Sequence, residues 1–521
     1  MNYRILLFCV LLFLSYKIHS QSTIPIDIVK LSKLTFSKNP TIKRNVLTIN
    51  RAEGRLQIQK SVFDYQLVSS VSLSRNTLNL FEADARNGFL GGNLKSKNTG
   101  ATIGLQRKLR SGLTASLSVD YSMMNDNLPY NRFSQNVGAY IQDHSVSSRF
   151  SLTKPLLRGS TKKVTIALEK ASFLNLESIR KNTEFTNSFE LFQTGNAYWK
   201  YVAAYKNLKI YKENEARVKR VLEITQELVK ADKKPAGDLL QIQADLAKQE
   251  RQTNVAKQTL FSAKLNLGRA VGLSEKESKK IGIPLDEFPS IVASGYTKSI
   301  EISELLKTAQ DNRKDIEASK RSQESLELKL DLANNNRKPQ LDITGFINYG
   351  GMSMGNGIDK ALSSFTNKEG GNLGFGFSLN FSFALNNNHA RGSYLQNEAS
   401  LKDQQISNNN LQRNINLNVS VALNSLDNSV LVLEKSLESL NFYQEVYNNE
   451  QVKFQNGLTT LLNLILFQER LTFSQLEYLQ AHQQFASAII NLRYETGTLL
   501  IQQNKNEVLD ITKELFYTVP K

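Results

Sequence analysis

Between residues 373 and 385 the chain alternates without a slip. Leu373, Phe375, Phe377, Leu379, Phe381, Phe383 and Leu385 are apolar, while Gly374, Gly376, Ser378, Asn380 and Ser382 between them are small or polar. Alternate side chains of a strand point to opposite faces, so this segment carries one greasy face and one small, polar face. Such a face needs a cover, which is either a second sheet in a soluble sandwich or lipid.

Shorter stretches repeat the pattern. Leu67, Val71 and Leu73 stand against Ser70, Ser72 and Ser74; Phe150 and Leu152 against Arg149, Ser151 and Thr153; Leu341, Ile343 and Ile347 against Asp342, Thr344 and Asn348. A further alternating pair flanks the tight turn Arg110-Ser111-Gly112. Strands are predicted at 66–76, 101–109, 113–122, 146–153, 341–349 and 373–385. The segments near 77–98 and 123–145 are long and rich in Asn, Gly and Ser. Short turns on one side and long loops on the other fit a membrane barrel.

The rest of the chain has the opposite character. Each Pro costs about 3 kcal/mol inside a helix, and residues 156–234, 290–338 and 340–519 contain none. Residues 161–230 and 387–456 hold one glycine each, Gly195 and Gly392. Helices of that length would run on the order of 100 Å. Apolar residues recur in steps of three and four, as in Val221, Ile224 and Leu228, or Phe485, Ile489 and Leu492. That is a narrow coiled-coil seam with a wet opposite side.

The two kinds of segment occur twice. Residues 229–272 and 454–497 align without gaps at an offset of 225, pairing Gln243 with Gln468, Leu246 with Leu471, Ala263 with Ala488 and Gly272 with Gly497. At an offset of 274, Asn39-Pro40-Thr41-Ile42 falls on Arg313-Lys314-Asp315-Ile316. The predicted organisation is a first repeat at 23–290, with a helix near 27–62 and a helical hairpin at 161–272. A second repeat at 291–500 has a helix near 298–336 and a hairpin at 387–497, and a C-terminal tail follows at 501–521.

Arg4 followed by the apolar run Ile5–Leu14 and small residues at Ser20 and Ser22 reads as a secretory signal peptide over 1–22. The formal charge of the 521-residue chain, +17, then falls near +15 and is assigned to a solvated surface rather than to nucleic acid. Cys9 is the only cysteine and leaves with the leader, so no disulfide or thiolate metal site is expected. His144, His389 and His482 are scattered, and no hydrolase, zinc-protease or phosphate-loop spacing occurs. Neither catalysis nor a cofactor is expected.

A lipid-facing sheet must close, because unpaired backbone groups in hydrocarbon cost several kcal/mol each. Four to six strands cannot enclose a useful bore, so several chains must share one barrel. The 101–122 pair either enters that wall or caps it from outside; the tight turn favours the wall.

Certain residues make the likeness specific: Asn39-Pro40, Phe63-Asp64, Thr153-Lys154-Pro155-Leu156-Leu157-Arg158-Gly159, Pro339-Gln340-Leu341-Asp342, Gly457-Leu458-Thr459-Thr460, and the endings at Gly272 and Gly497. In their order and duplication the chain resembles the TolC-family outer membrane factors, over about residues 27–500. The resemblance implies a mixed, mainly α fold. Duplicated long-helix coiled-coil hairpins form a trimeric α-barrel tunnel, and antiparallel strands contribute to a shared transmembrane β-barrel. It implies a homotrimer in the cell outer membrane with a large periplasmic portion. It further implies a periplasmic adaptor (membrane fusion) protein and an inner-membrane transporter as partners, in efflux or type I secretion. Gly457, Leu458, Thr459 and Thr460 correspond to the adaptor-contacting tip; the counterpart Asp232-Lys233-Lys234-Pro235 departs from that pattern. Positions that line the family's tunnel aperture fall on Asp238, Asn463 and Leu466, of which only Asp238 is acidic. The competing reading is an exported coiled-coil surface or adhesion protein without a channel.

Overall fold

The structure is a computed structural model that describes residues 24–127, 142–298, 300–355, 357–366, 371–500 and 511–520. The expected leader at 1–22 and residues 501–510 of the tail lie outside the described residues.

Proline and left-handed residues set the helix ends. The helix expected over 27–62 is two, α1 (Ile28–Lys38) and α2 (Pro40–Lys60), since Pro40 lacks the N–H that would continue α1 and fits the first position of a new helix. Asn39 joins them: its Oδ1 accepts from Thr41 N at 2.8 Å and Ile42 N at 3.3 Å. The hairpin expected at 161–272 consists of α3 (Ala167–Lys230) and α4 (Gly237–Val271). The helix expected over 298–336 is interrupted at Arg313 into α5 (Ile302–Asn312) and α6 (Lys314–Asn335). The hairpin expected at 387–497 is α7 (Asn388–Gln455) and α8 (Leu461–Glu495).

The chain packs as two compact units that each draw on both repeats. One comprises Met1–Ile49, Ile179–Ser319 and Ser407–Lys521; the other Asn50–Ser178 and Lys320–Ile406. The helical unit has three buried seams. The first gathers Ile28, Leu31, Trp199, Leu267, Ile490 and Phe516, the second Leu305, Ile415, Leu426, Phe485 and Ile489, and the third Val218, Ile242, Phe454, Leu461 and Leu471. Burial of each large apolar side chain contributes about 1.5–3 kcal/mol. At Gly195 a Cβ would lie 2.9 Å from Ile490 Cδ1 and 3.4 Å from the Phe516 ring, so the missing side chain lets α3 pack closely on α8. A polar network threads the same bundle, with Asn214 Nδ2 donating to Gln249 Oε1 (2.9 Å) and Gln468 Nε2 donating to Asn214 Oδ1 (3.0 Å).

Part of the C-terminal tail is structured. Ile511, Phe516 and Val519 are buried, and Lys513 Nζ reaches the buried Asp286 at 2.8 Å. Asp286 also accepts from Ile28 N and the Tyr198 hydroxyl, each at 2.8 Å. Burial raises its pKa, but Lys513 and these donors outweigh it and hold the carboxyl below its ordinary value. The strand Ile24–Ile26 pairs in parallel with Ile281–Pro284 in this unit.

The other unit holds a six-stranded sheet: β1 (Gln66–Asn79), β2 (Asn93–Lys108), β3 (Thr114–Asp126), β4 (Gln142–Pro155), β5 (Gln340–Met354) and β6 (Gly371–Ser382). They lie side by side in that order, each antiparallel to the next. The expected strands are thus corrected at their ends. The strand expected at 101–109 begins at Asn93, because the polar run Asn93–Thr99 is carried by pairing with Leu73–Asn79. The strand expected at 373–385 stops at Ser382, opposite Gln340, the first residue of β5. The extra pair, β2 and β3, sits between β1 and β4 as part of the sheet.

Candidate functional site

Two places are set up to act: the faces of the sheet and the turns of the helical hairpins.

Residues opposite one another in an antiparallel ladder share a face, so the register sorts every strand residue. One row reads Leu67, Leu105, Leu117, Phe150, Ile347 and Phe375. The next rows on that face bring Ile103, Val119, Tyr349 and Leu373, then Val71, Tyr121 and Val146. These side chains are exposed or half-exposed, Leu67 by 71% and Phe375 by 85%. From Leu341 to Gly351 the face spans ten residue steps, about 33 Å along the strand, or roughly 25 Å once tilted by the usual 40°. That is the height of a membrane barrel's apolar band.

The opposite face is polar. Its rows include Ser70, Thr102, Asp120 and Ser147, then Gln66, Gln106, Ser116 and Ser151. Asp120 accepts from Thr102 at 2.8 Å and Ser118 at 3.0 Å, and Arg149 stacks over Phe346 at 4.3 Å. A short helix, Asp359–Thr366, lies on the apolar face near the long-loop rim. Its Ser363 hydroxyl bonds Ser353 (3.2 Å), Tyr349 OH donates to Phe365 O (3.2 Å), and Leu362 is 75% exposed. The helix therefore turns polar groups to the sheet and an apolar side outward.

In the helical unit the two hairpin turns are built alike. α3 ends with Lys233 N donating to Leu228 O (2.9 Å) and Asp232 N to Val229 O (3.1 Å). α7 ends with Leu458 N donating to Lys453 O (2.9 Å) and Gly457 N to Phe454 O (3.0 Å). Both are left-handed helix caps. They place Asp232 (φ 54°) and Gly457 (φ 73°) at equivalent positions of the two repeats.

Gly457 has open space around it, and Leu458 is 76% exposed. The Thr460 hydroxyl caps α8 by accepting from Asn463 N (3.2 Å), and Asn463 Nδ2 donates to the Thr459 hydroxyl (3.4 Å). Lys453 first, then the Thr459 hydroxyl, holds the Glu450 carboxyl below its ordinary pKa. Of the aperture candidates, Asn463 thus joins the tip residues directly. Asp238 is half-buried in the first turn of α4 and Leu466 is 40% exposed on α8; neither enters that bonded set.

Lys234, which sequence reasoning leaves on a solvated face, ties the turns together. Its Nζ donates to Thr459 O (3.3 Å) and lies 5.2 Å from the Phe454 ring centroid. Lys234 and Thr459 are equivalent at the 225 offset, the one signal that could have singled out this contact.

Residues 305–498 match the outer membrane efflux protein family. No curated relative matches the sequence. Among solved structures, the outer-membrane channel OprN is similar with a TM-score of 0.64 at 14% identity, over 90% of this chain and 90% of its own. VceC of Vibrio cholerae is similar at 0.62 and 13%, over 90% of this chain and 96% of VceC. CmeC of Campylobacter jejuni is similar at 0.62 and 15%, over 90% and 85% respectively. At these identities the structures establish the fold, and the family match covers residues 305–498. Over residues 305–498 the chain carries the outer membrane efflux protein pattern, and its fold is that of the outer-membrane channels. It resides in the outer membrane as an exit duct for efflux, and the coiled-coil adhesin reading has no support. The apolar face of the sheet is accordingly its lipid face.

Proposed function

We propose that three copies of the chain close one barrel of eighteen strands, six from each, and conduct cargo passively from a periplasmic helical tunnel to the exterior. The observation that carries this reading is the sheet itself. Its six strands run in strict alternation, so the edge strands β1 and β6 have opposite directions and can pair between copies as one more antiparallel ladder. Closure by like copies satisfies every edge and keeps the apolar face outward on all sides. The polar face, with its serines, threonines and Asp120, then lines water.

The chain supplies no energy source of its own in this reading, performs no catalysis and holds no cofactor. A periplasmic adaptor protein couples it to an inner-membrane transporter. Gly457, Leu458, Thr459 and Thr460 form the adaptor contact, supported by the open space at Gly457 and the exposure of Leu458. Asp238, Asn463 and Leu466 line the aperture. A Gly457→Trp variant tests the contact: assembly and single-channel conductance are expected to hold while efflux in cells falls. Undiminished efflux would contradict it.

A further inference from the structure

Charge is segregated across the sheet. Among the described strand residues, the carboxylates Asp120, Asp126, Asp143 and Asp342 all lie on the polar face by register. Among the described strand residues the lipid face carries no carboxylate; its strand charges are Arg107 and Lys154 at one rim and Arg75, Lys95 and Lys97 at the other. The first rim's cations are engaged. Arg107 donates to Phe63 O (3.0 Å) and to the Tyr65 hydroxyl (2.9 Å). Lys154 Nζ donates to Ser111 O (2.8 Å) and Ser160 O (3.2 Å).

The second rim, on the side of the long loops, is different. Arg75 stands directly opposite Lys97, one same-face row beyond Leu73 and Thr99, and Lys95 follows on the next row opposite Thr77. All three are exposed, and none of their side chains forms an ion pair or hydrogen bond among the described residues. Same-face neighbours Leu73, Thr77, Thr99 and Asn125 carry no charge. Like charges directly opposite one another destabilise an antiparallel pair. A trio of unpaired cations one row past an apolar band therefore calls for anions supplied by the surroundings.

We infer that Arg75, Lys95 and Lys97 bind the phosphate groups of an outer-leaflet lipid headgroup, an inference that rests on the lipid-face reading above. The height fits: the row beyond Leu73 is where acyl chains give way to headgroups. The chemistry fits as well, because the planar guanidinium grips phosphate through paired N–H donors and the two ammonium groups add point charges. Three positive charges match a headgroup bearing more than one phosphate.

The test uses the full-length protein, delipidated in detergent and titrated with bisphosphorylated lipid A, with its dephosphorylated form and with inorganic pyrophosphate. Wild type is expected to prefer the phosphorylated lipid, and R75Q/K95Q/K97Q to bind it more weakly by on the order of a hundredfold. Exchanging the charges conservatively (R75K/K97R) should retain binding. Equal affinity of wild type and triple variant, or of the two lipids for wild type, would overturn the inference. So would pyrophosphate binding as tightly as the lipid, which would mark a free-anion site. The dephosphorylated-lipid arm needs no variant and decides the matter even if the triple variant misfolds. Single-channel conductance is recorded in parallel: its absence in wild type would count against the duct, whereas lipid selectivity reports on the cation trio alone.

Discussion

Gly272 lies on the backbone of Asn39: a Cβ at Gly272 would stand 2.7 Å from Asn39 Cα and 2.9 Å from Lys38 O. The second repeat makes the same joint, with Gly497 placed so that a Cβ would stand 3.0 Å from Arg313 N. Asn39 Nδ2 donates to Ala270 O (2.9 Å), and Arg313 Nη1 donates to Glu495 O (3.0 Å), carbonyls that correspond at the 225 offset. Each hairpin's return thus lands on the kink between the two helices that open its repeat.

Gly272→Ala meets both a clash and a φ of +86°, and is expected to lower stability by about 2–4 kcal/mol. Gly392→Ala, with nothing within 4 Å of its Cβ, should be neutral or stabilising by up to about 1 kcal/mol. Denaturant midpoints of the helical signal compare them; equal losses would contradict the close approach.

Arg313 is buried against Asp315 (2.8 Å) and Glu495 (2.9 Å). Burial works against its charge, but the two carboxylates outweigh it and raise its pKa. Arg313→Leu would strand both acids and should cost about 3–5 kcal/mol. Asn39→Ala, which removes neutral-donor bonds, should cost roughly 1–3 kcal/mol. Reversal of that order in thermal dissociation of the assembled protein would refute the assignment.

His482 packs against Phe288 (5.6 Å) and Tyr478 (4.7 Å). Burial, with Lys206 adding to it, pushes its pKa from 6.5 down to about 4. The unfolded chain therefore binds a proton that the folded chain refuses between those values. Stability contributed by the neutral ring is whole above pH 6.5 and declines as pH falls toward 4, by at most roughly 3 kcal/mol. His482→Phe should flatten the pH dependence of unfolding across that window; an unchanged slope would exclude His482 as its source.

Because β2 and β3 lie inside the sheet, their turn belongs to the rim opposite the long loops. Ser111→Cys should react with an impermeant thiol reagent only after the outer membrane is permeabilised. Labelling in intact cells would place the turn outside.

The sequence made the strands legible wherever one face was continuously apolar, as along Leu373–Phe381. It hid the start of β2, because Lys95 and Lys97 break the apolar alternation and only pairing with β1 reveals a strand there. Trp199 is fully buried beside Tyr198 and Phe288. The docking of Phe516 was not legible, since Leu515-Phe516-Tyr517 is too short a run to show a period. At the tips, Lys234 meeting Thr459 is a contact between turns 225 residues apart. No local pattern encodes it.

Counting the chains in one detergent-solubilised particle by native mass measurement tests most directly whether copies jointly complete the wall. Three per conducting particle is the predicted result. A single folded chain that conducts alone when inserted into a bilayer would contradict it.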